Sequence, residues 1–551
     1  MIKDSFIVNG NSDVTFKSGD GSGTSTREFD NGFLGYLSQY ISGGEFLDTT
    51  VTLTGSDWTV STMRFGADGG NHVTINDANN NEGRRIDFLK LGESSDVNLI
   101  STRVKYIEGG EGGTHNVNLG SASTRSVNLF GDQNNITTGS GYVANIEVTN
   151  NSNVKVNGDV GSFYGYQSND KLTVNSGWIE FAKIRDGNDT VVVKSGSGIG
   201  TLKANANDGE VNTNMVTVKD GAQIQFFNAS RGDSTIKMEG EGRINVIDTF
   251  MGSNDITTKD RFISSISTWE SENTINIGSG GVGSIALGSE SQLSHDITLK
   301  GWFGQIQIWE SDSANITTGA EGGGTIMTRG GDDTITTGKG LVEMVLTGEG
   351  NDVVNVGTGS IGTLGTWEGN DKIKVSEMEG RHLWVNGDQG TDTLDFSKFS
   401  VKVTFSLDLD GQYQNVAKAG DFENNTVGHF SQTGIENLTG GKKNDKLTGD
   451  DNANKLVGKG GADTLAGGKG KDKLQGDAGD DIFVFGKKGG VDTVLDYEDN
   501  DTLRIEGHKG GFDTLVFSNK NGDRKIEYDG GTILLDGQKG LKLTEGDFDF
   551  V

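Results

Sequence analysis

Between Gly440 and Val484 the chain reads GGKKNDKLT, GDDNANKLV, GKGGADTLA, GGKGKDKLQ and GDAGDDIFV, five consecutive nine-residue units. The sixth positions are Asp445, Asn454, Asp463, Asp472 and Asp481; the eighth are Leu447, Leu456, Leu465, Leu474 and Phe483. This is the pattern G-G-x-G-x-D-x-U-x, with U a large apolar residue, and a fixed period of this kind marks stacked repeats. Each unit predicts a glycine-rich turn followed by a short strand whose eighth residue points inward. Two units close one coil of eighteen residues, which puts Asp445, Asp463 and Asp481 on the same side, one above another. Turn carbonyls and carboxylates of adjacent coils can together supply the six or more oxygens that calcium takes. The ordinary preference of aspartate for turns accounts for single sites but not for the period.

Residues 1 to 394 carry a looser repeat of strands of the form apolar-polar-apolar. Their first apolar residues are Val14, Val51, Val73, Val97, Val117, Ile136, Val154, Leu172, Val191, Val216, Ile236, Ile256, Ile275, Ile297, Ile316, Ile335, Val354, Ile373 and Leu394, and many spacings are nineteen. Alternating segments such as Tyr142 to Val148, Gln305 to Trp309 and Leu341 to Leu346 supply a second strand per coil. The fold class expected is therefore all-β: a right-handed parallel β-solenoid with coils of about 19 residues, followed by a nonapeptide β-roll. The organisation expected is an N-terminal cap with a short helical insertion (1–60), a long solenoid (61–394), a connecting β segment (395–435), the nonapeptide roll (436–485) and a C-terminal cap (486–551). The helix is expected at Phe33 to Ile41, whose apolar spacing suits one, and a cap covers the open edge of an end coil.

In the long array the place of the nonapeptide aspartate, two residues before the inward apolar one, holds Asp170, Asp189, Asp333, Asp352, Asp371 and Asp392. These are the further calcium candidates. At other coils that place holds Asn, Ser, His or Ala, as at Asn134, Ser152, His295 and Ala314, which implies a hydrogen-bonded ladder with few ions. The outward residue between the apolar pair is often threonine or asparagine, and tryptophans recur before acids as Trp269-Glu270, Trp309-Glu310 and Trp367-Glu368. Such features suit ice or a sugar lattice, but threonine is favoured on any exposed strand and stacked tryptophans also cover a solenoid face.

Composition agrees with this reading. Of 551 residues 88 are glycine, and proline and cysteine are absent. Glycine serves tight turns, and a chain without proline leaves backbone ladders uninterrupted. A formal net charge of -30 makes nucleic acid an unsuitable partner and makes cations a natural staple. The start lacks a basic segment followed by a long apolar run, and no stretch has the length of a transmembrane helix, so neither a cleaved signal nor membrane insertion is expected.

The five nonapeptides resemble the RTX (repeats-in-toxin) family, through Gly440 to Val484, with Asn454 the one departure at the sixth position. The following stretch, Gly490 to Tyr497 and on to Leu503, is similar to the segment that closes such blocks, and the resemblance implies that Asp492, Asp496 and Asp501 hold a further ion. It also implies export by a type I secretion machinery that reads an uncleaved C-terminal signal, to which Gly546 to Val551 is similar. With little free calcium inside the cell, carboxylate repulsion keeps the chain open; outside, ion binding becomes folding free energy.

Activity must be read from sites rather than from the repeat. No H-E-x-x-H or G-x-S-x-G is present, and the six histidines are dispersed. The expected role is non-enzymatic: a secreted, calcium-binding structural protein of the bacterial cell surface or extracellular matrix, resembling surface-layer proteins in composition and assembling with itself. The competing readings are an adhesin or an ice- or carbohydrate-binding solenoid with a cell-surface polysaccharide as partner, or a polysaccharide lyase or epimerase.

Overall fold

The computed structural model describes residues 2–18, 24–29, 35–41, 48–64, 71–77, 85–121, 123–205, 212–378, 382–416 and 429–551. Among them the helical content is three single-turn 3-10 segments, Leu407–Leu409, Phe512–Thr514 and Glu545–Asp547; the rest is strand, turn and connection. No helix among these residues is long and apolar enough to cross a membrane. The fold is a right-handed β-solenoid of roughly 19-residue coils, as the repeats predict. It divides into two compact units, Met1–Gly280 and Gly281–Val551.

In the first unit Val73, Val97, Val117, Ile136, Val154, Leu172, Val191, Val216, Ile236, Ile256 and Ile275 pair in register, each with the next, in one parallel sheet. The second sheet stacks Leu89, Ile107, Val127, Ile146, Phe163, Ala182, Leu202, Phe227, Ile247 and Ile266 in the same way. From Val97 onward both columns are at most 3% exposed, so the core is two facing stripes of mostly β-branched side chains. Burial of each contributes about 1.5–3 kcal/mol, and every strand's backbone is paired on both edges by its neighbours. The alternation in sequence is thus read out directly as inside and outside.

The N-terminal expectations need correction. Gly35–Ile41 is not helical: it is a strand running antiparallel to Ile2–Ser18, with Ile2 opposite Ile41 and Val8 opposite Gly35. A segment of this length satisfies a strand as well as a single helical turn, and an available partner strand decides between them. Phe33 and Leu34 lie outside the described residues. Val14 is not a solenoid rung either, since Ile2–Ser18 pairs antiparallel with Asp48–Arg64, Val14 opposite Leu53. Val51 lies in a solenoid strand but pairs with Ile75, two residues out of the expected register with Val73.

In the second unit one column runs Ile297, Ile316, Ile335, Val354, Ile373, Leu394, then Leu438, Leu456, Leu474 and Val494. The loose and nonapeptide repeats therefore share one uninterrupted ladder, with a 44-residue step from Leu394 to Leu438. Across that step the facing sheet is exchanged. Strands Ile361–Gly365 and His382–Asn386 lead to His429–Thr433, whose other edge is taken by the short antiparallel strand Gln414–Asn415, while Thr404–Ser406 starts a separate six-stranded sheet. The latter stacks Phe405, Leu447, Leu465, Phe483, Leu503 and Phe548. Phe396, Phe399, Phe405 and Phe430 fill the exchange point, with ring centroids 5.3–6.3 Å apart. The terminal strand Phe548–Phe550 is the last rung of the new sheet, tied by Arg504 Nε to Asp549 Oδ2 at 2.7 Å.

Candidate calcium ladder

Each residue two before an inward apolar position is itself turned inward, which places the acids in columns. The first column of the second unit holds Asp333, Asp352, Asp371, Asp392, Glu436, Asn454, Asp472 and Asp492; the second holds Asp445, Asp463, Asp481 and Asp501. Every aspartate in both columns is at most 5% exposed. One carboxylate oxygen of each has a fixed task. The backbone N–H of Asp333 donates to Asp352 Oδ1, that of Asp352 to Asp371 Oδ1 and that of Asp371 to Asp392 Oδ1, all at 2.8 Å. Asp392 N–H donates to Glu436 Oε2 at 2.7 Å, and further on Asn454 donates to Asp472 Oδ1 and Asp472 to Asp492 Oδ1. In the second column Asp445 N–H donates to Asp463 Oδ1, Asp463 to Asp481 Oδ1 and Asp481 to Asp501 Oδ1, at 2.7–3.0 Å. In the first unit Ser152 N–H donates to Asp170 Oδ1 and Asp170 N–H to Asp189 Oδ1. The acids thus act first as caps that join coil to coil.

The second oxygen is what is left over. Oδ2 of Asp170, Asp333, Asp352, Asp371, Asp392, Asp463 and Asp472 is buried and has no hydrogen-bond partner. A buried acceptor without a donor costs about 1–3 kcal/mol, more when charged, so each calls for a proton or a cation. In the nonapeptide stretch the space beside this oxygen is kept open by the glycine five residues earlier. A β-carbon on Gly440 would sit 2.6 Å from Asp445 Oδ2 and 2.7 Å from the Gly458 carbonyl oxygen of the next coil. The same points at Gly449, Gly458, Gly467 and Gly476 are bounded by Asn454, Asp463, Asp472 and Asp481, with the next coil's glycine carbonyl also present at Gly449 and Gly458. A side chain at these places would overlap the carboxylate or the next coil's carbonyl oxygen, so only glycine leaves both oxygens free to face an ion. Among the described residues no three acid or histidine side chains form a metal-holding group, so an ion here would draw heavily on backbone carbonyls. The donor set fits calcium and not a nitrogen- or sulfur-seeking metal.

The long array differs in this respect. Gly165 backs Asp170 and Gly387 backs Asp392, but buried Thr328, Thr347 and Thr366 stand five residues before Asp333, Asp352 and Asp371, and Ile184 stands before Asp189. Electrostatics are shared by all. Burial, with neighbouring carboxylates adding to it, holds Asp170 and Asp333 at a pKa of about 8 and Asp352, Asp392 and Asp463 at about 7. Burial likewise holds Asp189 and Asp492 at about 7 and Asp472 and Asp481 at about 6, and raises Asp371, Asp445, Asp501 and Glu436. Asp496 is not in either column: its two oxygens accept from Gly476 N–H and Asp477 N–H, clamping the preceding turn.

Two features escape sequence reasoning. Glu436 takes an aspartate's place, and the only signal was its position two before Leu438. At the other end of the ladder, Asp312 is wholly buried and accepts from Ser289 Oγ at 2.6 Å and Leu293 N–H at 2.8 Å, with His295 Nε2 at 3.2 Å from its Oδ2. Serine, histidine and aspartate meet here, yet all three are at most 1% exposed, so no substrate reaches them and the cluster is structural. Asp312→Asn keeps one acceptor and removes the oxygen facing His295. It is expected to lower stability by about 2 kcal/mol in urea melts, with calcium affinity unchanged.

Residues 431–465 and 457–487 match the family model of the RTX calcium-binding nonapeptide repeat. Calcium is the ion that this repeat binds, at multiple sites. No curated protein matches the chain. Among solved structures it is similar to the extracellular lipase LipA from Serratia marcescens, at 18% identity and a TM-score of 0.17, over 44% of this chain and 40% of the lipase. The chain thus spans less than half of the lipase's length.

Proposed function

We propose, from the RTX calcium-binding repeats of residues 431–487, that this is an exported, non-enzymatic scaffold of the bacterial cell surface or matrix, folded and assembled by calcium. The observation that carries the reading is the column of buried carboxylates, each with one oxygen spent on the neighbouring coil and, at seven positions, the other unsatisfied. Ions at Asp445, Asp463, Asp472, Asp481, Asp392 and Asp170, the glycine-backed acids, neutralise the column and tie turn to turn. Asp333, Asp352, Asp371 and Asp189, backed by threonine or isoleucine, are weaker candidates; Asp492, Asp496 and Asp501 would close the end of the roll. Export through a type I machinery follows from the repeat and supplies the calcium only after transit. Self-association through the remaining acidic surface, bridged by further calcium, fits a chain with 78 acids and 48 bases.

Electron microscopy of the purified chain in millimolar calcium is expected to show ordered sheets or filaments, and with chelator none. Single particles in both conditions would overturn the assembly reading while leaving calcium binding intact. Turnover of any uronate polymer by the calcium-loaded chain would overturn the non-enzymatic one.

A further inference from the structure

The first unit carries a concentration of positive charge that neither folding nor the calcium ladder explains. Arg85, Arg103, Lys105 and Arg125 line one cavity of about 290 Å³ together with Thr124 and Tyr142. This occurs in a chain of net charge -30. The register brings the cations together from successive coils: Ile86 pairs with Val104 and Tyr106 with Ser126, so Arg85 adjoins Arg103, and Lys105 adjoins Arg125. Strands in a sheet lie about 4.8 Å apart, and like charges facing each other at that spacing destabilise it. Arg85 is relieved by Asp87, 2.8 Å away. Among the described residues no carboxylate pairs with Arg103, Lys105 or Arg125, although acids are plentiful elsewhere.

Aromatic faces complete the site. Lys105 Nζ and the Arg125 guanidinium lie 5.4 and 5.8 Å from the Tyr106 ring centroid, and Tyr106 stacks on Phe88 at 4.8 Å. Phe88 and Tyr142 are 41% and 45% exposed. Exposed ring faces beside unpaired guanidinium and ammonium groups suit a ligand that alternates flat apolar faces with anionic groups. Arginine takes carboxylates and sulfates bidentately, while the ring of a pyranose lies on an aromatic face.

The geometry points to an anionic-polysaccharide site on this face, in which Arg103, Lys105 and Arg125 hold the acid groups and Tyr142 holds a sugar ring. Charge complementarity selects the acidic polymer, and the concave shape, with the exposed Tyr142 ring in its wall, selects a chain of rings over the acidic surface of a second copy. The site does not depend on how the chain assembles.

Fluorescence anisotropy of labelled oligogalacturonate with the calcium-loaded full chain is the test, with neutral maltohexaose as the control ligand. Binding of the uronate but not of maltohexaose is expected, and R103Q/K105Q/R125Q should weaken it by about ten-fold or more. Tyr142→Ala should weaken it less, with an unchanged dependence on salt. The triple variant K171Q/K194Q/K259Q removes the same charge from other exposed positions of this unit and should bind as the parent does. Absence of uronate binding, retention of it in R103Q/K105Q/R125Q, or equal loss in the two triple variants would each overturn the proposal. So would loss of calcium-dependent self-association in R103Q/K105Q/R125Q without any sugar present, which would make the patch a contact between copies.

Discussion

Stripped of calcium, the chain is expected to be largely open at about pH 8 and to gain strand structure on acidification, with a midpoint between about pH 6 and pH 7. Asp170 and Asp333 have folded-state values of about 8 and Asp472 and Asp481 of about 6, against roughly 4 for an aspartate in an open chain. A carboxyl whose pKa is raised by folding binds its proton more tightly in the fold. Its contribution is therefore fully present below about pH 4 and is lost as pH climbs through the folded values. Protons at low pH and calcium at neutral pH are alternative means of neutralising the same columns, so millimolar calcium should remove most of the pH dependence. Far-ultraviolet circular dichroism of the chelated and calcium-loaded protein across this range checks both statements. Acid also reduces the negative charge of the whole chain, and D333N/D352N/D371N separates the two effects. Asparagine keeps the oxygen that accepts from the neighbouring coil but cannot ionise, so the chelated variant should hold more structure at about pH 8 than its parent. A chelated chain with as much strand at pH 8 as at pH 5 would sink the account, as would a variant no better folded than its parent.

How much of this was legible depends on what each residue type can do alone. The nonapeptide columns were readable because glycine, acid and apolar residue are each required at one position, so the period survives in the sequence. The strands from Val73 to Leu394 were readable for a related reason: β-branched residues alternate with polar ones, and an inward side chain in a stacked coil tolerates little else. The N-terminal strands were not. Leu37, Tyr40 and Ile41 fit a helical face as well as a strand, and an antiparallel layer carries no register that neighbouring coils repeat. Among the acids, sequence placed ten candidates by position and three by family resemblance, while the distinction between glycine-backed and threonine-backed ones depends on a residue five places away that only the closed coil brings alongside. Glu436 was hidden because a side chain one methylene longer fills an aspartate's place after a 44-residue step. The Asp312 cluster was hidden because its partners come from three positions with no repeat between them.

The glycines of the turn column set a steric condition that no ion can relax, and Gly369→Ala is expected to be among the most damaging single substitutions in the chain. Gly369 has φ +146° and precedes Asp371 by two residues; Gly350 and Gly390 hold the equivalent places in the adjacent coils, with φ +135° and +144°. A β-carbon on Gly369 would overlap the carbonyl oxygen of Gly350, and one on Gly390 would overlap that of Gly369. The obstacle is backbone, not the end of a flexible side chain, so relief requires parting two coils. That parting would break the bond from Gly350 N–H to the Glu368 carbonyl, 2.8 Å, and strain the link from Asp352 N–H to Asp371 Oδ1. Overpacking and left-handed strain together come to about 2–5 kcal/mol. Gly537→Ala supplies the comparison, since Gly537 has φ +66° with nothing within 4 Å of its added β-carbon. There only the backbone strain applies, about 1–2 kcal/mol. Urea midpoints measured in saturating calcium should therefore fall at least twice as far for Gly369→Ala as for Gly537→Ala. Equal losses would mean that the coils can separate at little cost, and the ladder would then owe its rigidity to the ions alone.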